Sequence, residues 1–203
     1  MTKLSQLALC SLFSIWAYSA QAIIINLEPE SSTPAVGDSV DVDLTISGLG
    51  NGAAPSLGAY FLEIFFDATV LDLDTVTHGT SLGDPDDFFE TDVVTDIGSG
   101  DVSLEVISFL DVVDLDALQG DSFLLATLTF NVLGMGGSDF SFGPAYDFSD
   151  APGENTLVPT FTITQLRVGG GGPATPVNAP NGIALLLLGL ISLATLRRRS
   201  SAT

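Results

Sequence analysis

Between Ile23 and Val168 the apolar positions recur at every second residue. Val40, Val42, Leu44 and Ile46 alternate with Ser39, Asp41, Asp43, Thr45 and Ser47. One face of that strand therefore lies on a core, and the other, acidic, faces water. Tyr60, Leu62, Ile64 and Phe66 alternate with Ala59, Phe61, Glu63 and Phe65, a strand apolar on both faces and so central in its sheet. Further strands are predicted over 23–28, 70–77, 102–109, 123–133, 139–142 and 157–166, with clusters of Gly, Pro, Asn and Asp between them. A helical stripe occurs only at Asp111 to Leu118. Eight or nine strands in about 145 residues predict an all-β fold, a two-sheet antiparallel jelly-roll sandwich.

The two ends follow other patterns. Residues 1–22 run from Lys3 through the apolar stretch Leu7 to Ala17 to Ala20-Gln21-Ala22. That is the layout of a secretory signal peptide cut after Ala22, with Ala20 and Ala22 as the small residues of the cleavage site. An uncleaved anchor is the other reading, but the apolar run is shorter than the ~20 residues a span needs. Cys10 is the only cysteine and leaves with the signal, so the exported chain has no thiol or disulfide chemistry. At the other end, residues 169–181 form a Gly/Pro-rich linker and residues 182–203 hold an apolar segment followed by Arg197, Arg198 and Arg199. A Leu-rich segment with a terminal arginine cluster predicts a transmembrane helix with the body outside the cytoplasm. It serves either as a sorting signal or as a plain tail anchor.

Val177 to Arg199, VNAPNGIALLLLGLISLATLRRR, resembles the PEP-CTERM sorting signal of Gram-negative bacteria: a short Pro-containing motif, a Leu/Gly-rich helix and an arginine cluster. Here Val177, Asn178, Ala179 and Pro180 occupy the motif, and only Pro180 matches the Pro-Glu-Pro that the family usually carries. The resemblance implies an exosortase-type processing enzyme as partner, contact with the membrane through the helix, and a cell-surface or extracellular destination. It also implies a setting of exopolysaccharide and biofilm.

Charge narrows the function classes. Against 25 acids there are 5 basic residues, a net charge of −20, and four of those five lie in the terminal segments. The body, 23–168, keeps Arg167 against all 25 acids and stands at −24. A nucleic-acid partner is excluded, because phosphate binding needs clustered Lys and Arg. Disorder is excluded by 46% hydrophobic residues and 13 Phe. The single His78 has no cysteine or second histidine to join it, no G-x-S-x-G elbow occurs, and Trp16, the only Trp, leaves with the signal. These absences point to a chain that is not an enzyme. The one candidate cofactor is calcium, a hard cation that takes carboxylate oxygens. Asp84, Asp86 and Asp87 are the first candidate ligands, and Asp111, Asp114 and Asp116 the second. Neither run has EF-hand spacing, and the plainer reading is a solvated acidic surface that keeps molecules apart.

A second resemblance lies in the body. Val36-Gly37-Asp38-Ser39-Val40, Gly58-Ala59-Tyr60-Phe61-Leu62, Phe65-Phe66-Asp67-Ala68-Thr69-Val70-Leu71 and Leu124-Leu125-Ala126-Thr127-Leu128-Thr129-Phe130 follow in that order. The pattern is similar to cohesin-like domains and their carbohydrate-binding-module relatives, which share a nine-stranded jelly roll. Ala68 stands where the usual turn has proline. The resemblance implies a non-enzymatic interaction domain over 23–168, its partner a surface protein or a polysaccharide. The alternative is a carbohydrate-binding module recognising exopolysaccharide. Against the alternative, Tyr60 and Tyr146 are the only tyrosines beyond the signal, and most Phe residues fall at core-phase positions.

Overall fold

The structure, a computed structural model, describes residues 22–169. The signal-peptide residues through Gln21, the sorting motif Val177 to Pro180, the apolar segment and Arg197 to Arg199 lie outside the described residues. Among the described residues, no helix is long and apolar enough to cross a membrane.

Among the described residues, eleven strands and one short helix follow in the order β1 (Ile24–Pro29), β2 (Ser39–Ser47), β3 (Leu57–Phe65), β4 (Leu71–His78), β5 (Thr91–Ile97), β6 (Asp101–Ser108), α1 (Val112–Leu118), β7 (Ser122–Val132), β8 (Gly136–Ser138), β9 (Ser141–Asp150), β10 (Thr160–Ile163) and β11 (Leu166–Val168). They form a five-stranded sheet, β10-β1-β2-β7-β4, and a four-stranded sheet, β5-β6-β3-β9, with β11 and β8 paired as a small ribbon. The alternation read from β2 holds. Val40, Val42, Leu44 and Ile46 are buried, and outward Asp41 and Asp43 each accept a 2.7 Å hydrogen bond, from the hydroxyls of Thr129 and Thr127 on β7. The doubly apolar strand, β3, is central as expected, between β6 and β9.

The differences have local causes. The predicted strand 157–166 is two strands, because Gln165 turns away from the ladder and its side chain pairs with Phe140 N–H at 2.9 Å and Phe140 C=O at 3.3 Å. Of the short segment 139–142, only Ser141 and Phe142 are strand, the start of β9, which runs to Asp150. Strand β5 carried no expectation at all. The pairing is antiparallel except between β1 and β10. Both of those strands begin at the same end of the sandwich, since β9 finishes beside Leu57 and the chain crosses directly to the other sheet.

Two seams close the sandwich along its long sides. Between β9 and β10, Tyr146 and Phe142 pack on Phe161 with ring centroids 4.9 and 4.6 Å apart. Between β4 and β5, His78 Nε2 lies 2.8 Å from Thr95 Oγ1. The core between the sheets centres on Phe130, which meets Phe66 edge-on at 5.0 Å and Phe140 at 5.6 Å, a geometry aromatic rings favour.

Register also fixes the two ends. The start of β1, the end of β2 and the start of β7 share one end through the pairs Ile24 with Ser47 and Ser47 with Ser122. The loops before β5 and after β6 lie at that same end. The described chain leaves at the opposite end, through β11, whose Val168 pairs with Gly136.

Candidate interaction surfaces

The outward faces of the two sheets differ in chemistry. On the five-stranded sheet, period-two alternation turns Thr and Asp outward, in rows such as Thr162, Asn26 and Thr45, and Glu28, Asp43, Thr127 and Thr77. An open depression of about 250 Å³ on this sheet is lined by Asn26, Glu28, Pro29, Glu30, Asp43 and Thr45. No aromatic ring lines it, so it offers no platform for a sugar.

On the four-stranded sheet the outward set is mixed apolar and acidic. Val94, Glu105, Phe61 and Asp147 make one row across all four strands. Asp92, Ile107, Ala59 and Ser149 make the next, and Phe65 lies beside Asp101 and Ser141. Phe65 and Val94 are exposed, and Phe61 and Ile107 are half-buried. Apolar side chains thus run across a face whose carboxylates are spaced between them.

A third surface caps the end where β5 begins and β6 finishes. The turn before β5 is built by carboxylates. Asp84 Oδ1 accepts from Asp86 N–H at 3.0 Å, Asp87 Oδ1 from Phe89 N–H at 2.9 Å, and Glu90 Oε2 from Asp84 N–H at 3.0 Å. The first two are Asx-type turns, in which a short acidic side chain substitutes for a backbone acceptor. They hold Phe88 and Phe89 outward, 72% and 75% exposed, with ring centroids 4.0 Å apart. Phe109 N–H donates to Glu90 C=O at 2.7 Å, which brings the loop after β6 alongside. That loop adds Phe109, 55% exposed, and Val113 of α1, 77% exposed.

The sequence offered the two aspartate runs as separate calcium candidates; the β5–β6 pairing sets their loops side by side. Asp84 and Asp87 serve as turn acceptors, Asp116 Oδ1 accepts from Ser56 Oγ at 2.6 Å, and Asp111 precedes α1 without a side-chain capping bond. Among the described residues, no three His, Cys, Asp or Glu side chains group so as to hold a metal ion.

The aromatics divide between core and surface. Tyr60 is buried, its hydroxyl donates to Leu125 C=O at 3.5 Å, and burial pushes its phenol up. Phe66, Phe130, Phe140 and Phe148 are buried, whereas Phe65, Phe88, Phe89 and Phe109 face solvent on the four-stranded sheet and its cap. His78 is half-buried, has no acid in hydrogen-bond reach, and is drawn below its ordinary pKa by desolvation. Its buried Nδ1 has no partner.

The comparisons with known proteins agree with this architecture. A family model described as Cohesin domain matches residues 25–156. Among solved structures, the Coh-OlpA–Doc918 type I cohesin–dockerin complex from Clostridium thermocellum shares 12% identity at a TM-score of 0.58, covering 72% of this chain and 99% of that one. The solution structure of CaCohA2 from Clostridium acetobutylicum shares 18% identity at a TM-score of 0.57, covering 77% and 96%. A type II cohesin domain from the cellulosome of Acetivibrio cellulolyticus shares 16% at 0.56, covering 71% and 95%. No curated protein gives a significant sequence match.

Proposed function

Because this chain belongs to the cohesin-domain family, matched over residues 25–156, we propose that it is a non-enzymatic protein-interaction module that receives a dockerin-bearing partner on the outer face of β5-β6-β3-β9. The observation that carries this reading is the contrast between the two sheet faces. Phe61, Phe65, Val94 and Ile107 run across one, while hydroxyls and carboxylates predominate on the other, where Ile24 and Leu124 are the exposed apolar side chains. Interface cores are the part of a protein surface depleted in charge and enriched in aromatic groups, and the mixed apolar face is the nearer fit.

The tail supplies the address in this proposal. The chain is exported by its signal peptide and then sorted by an exosortase-type enzyme acting on the PEP-CTERM-like segment around Val177 to Pro180. It works at the cell surface or in an extracellular polysaccharide matrix.

Titration calorimetry of the chain against dockerin-bearing proteins encoded in the same genome tests the interaction. Binding that weakens about tenfold or more in Val94→Asp supports the proposed face. Retention on polysaccharide with no dockerin bound would replace the reading with a carbohydrate-binding module. For the tail, mass spectrometry of the surface form is expected to show a C-terminus lacking Arg197 to Arg199.

A further inference from the structure

We infer that the cap formed by Phe88, Phe89, Phe109 and Val113 is a second docking surface, separate from the sheet face, for a basic segment of a partner protein that presents an apolar stripe between lysines or arginines. Leaving a large apolar side chain in water forgoes the stabilisation of its burial, yet the two phenylalanines here are held outward by a hydrogen-bonded turn. Asp84, Asp87 and Glu90 fix that turn at both ends and across its middle. Little ordering remains for a partner to impose, which is how preorganisation strengthens binding.

Charge decides among the occupants. Asp86 and Asp111 lie in the same two loops and Asp114 in the first turn of α1, bordering the apolar residues. The bond from Phe109 to Glu90 holds those loops together. A second copy of the chain would bring one acidic rim against another, and an anionic lipid surface meets the same repulsion; like charges brought face to face oppose association. A basic apolar segment instead meets its complement in both respects. The cap stands at the end of the sandwich opposite Gly169, the last of the described residues.

The probe is a labelled amphipathic Leu/Lys peptide of about 18 residues, five helical turns, with its Leu/Glu counterpart as control, read by fluorescence anisotropy against the full chain. The Leu/Lys peptide is expected to bind, and to lose about tenfold or more in affinity for Phe88→Ser/Phe89→Ser and for Asp86→Asn/Asp111→Asn/Asp114→Asn. The Leu/Glu peptide is expected to stay free. None of these side chains is buried, and an unchanged melting temperature verifies that both variants fold. Val94→Asp is expected to leave peptide binding intact, so failure of the sheet-face reading and failure of the cap are told apart. Equal affinity of wild type and Phe88→Ser/Phe89→Ser overturns the inference. A dimer seen by sedimentation, or binding to phosphatidylglycerol vesicles, that the same double variant abolishes would reassign the cap and overturn it as well.

Discussion

Gln119 is a buried side chain acting as a stretch of backbone. Its Oε1 accepts from Leu57 N–H at 2.7 Å, and its Nε2 donates to Leu57 C=O at 2.8 Å and to Ser81 C=O at 3.1 Å. One amide thus ties the loop after α1 to the start of β3. Truncation to Ala leaves those groups buried and unpaired, so Gln119→Ala is expected to lose about 2–4 kcal/mol in urea unfolding. No periodicity marks such a residue, which is why the sequence did not single it out; its role exists only once loops 62 positions apart meet. His78 is the counterpart in titration. Burial draws its pKa below 6.5, so the unfolded chain binds the proton more readily. Stability is then complete above the unfolded value and falls as pH drops from 6.5 toward the lowered one. The melting temperature is expected to fall between about pH 7.5 and 5.5, and His78→Asn to flatten that fall. Two perturbed acids stay out of this window. Asp67 is held below the usual carboxylate range by the hydroxyl and N–H of Thr69. For Asp150, burial pushes up but the bonds from Asn155, Glu154 and Gly153 outweigh it.

Strands differ in how plainly their residues announce them. In β2 every inward position is aliphatic, and in β3 even the outward positions are largely apolar, so both were legible from alternation alone. In β5 the inward set is Thr91, Val93, Thr95 and Ile97, read from their partners Ser108, Val106, Leu104 and Val102. Half of that set carries hydroxyls, and an edge strand with that composition shows no apolar stripe. The β8–β11 ribbon begins at Gly136-Gly137, which has no side chains from which to read a period. Glycine is informative at Gly58 for a different reason, the close approach of β3 and β9 beside a register shift. A Cβ there would lie 2.6 Å from Asp150 C=O and 2.8 Å from Ala151 Cα. Gly58→Ala is expected to cost about 1–3 kcal/mol by forcing backbone apart, read as a lower urea midpoint. At Gly52, where φ is +71° and a Cβ meets open space, the same substitution strains only the local backbone, at about 1 kcal/mol.

At the scale of the whole molecule, 25 acids and a single Arg167 share one body. Self-repulsion of that kind opposes the compact state and is screened by salt. Raising NaCl from about 10 mM to 0.5 M is expected to lift the melting temperature by a few degrees, with about 1 kcal/mol corresponding to 2–4 °C at this size. Calcium at matched ionic strength is expected to add nothing further, since no three acids converge among the described residues. The sandwich and its family pattern were legible in the sequence because they rest on apolar positions. The phenylalanine cap was not, because it depends on β5 pairing with β6 to join two loops that each look merely acidic. The opposed ends of the body bear on mechanical load. If a partner grips the cap while the chain beyond Gly169 is held, tension runs along the strands. The edge strand β10, parallel to β1 over four residue pairs, is then pulled lengthwise past its neighbour. Its hydrogen bonds must slide and break together, a far stiffer response than the peeling of one bond at a time.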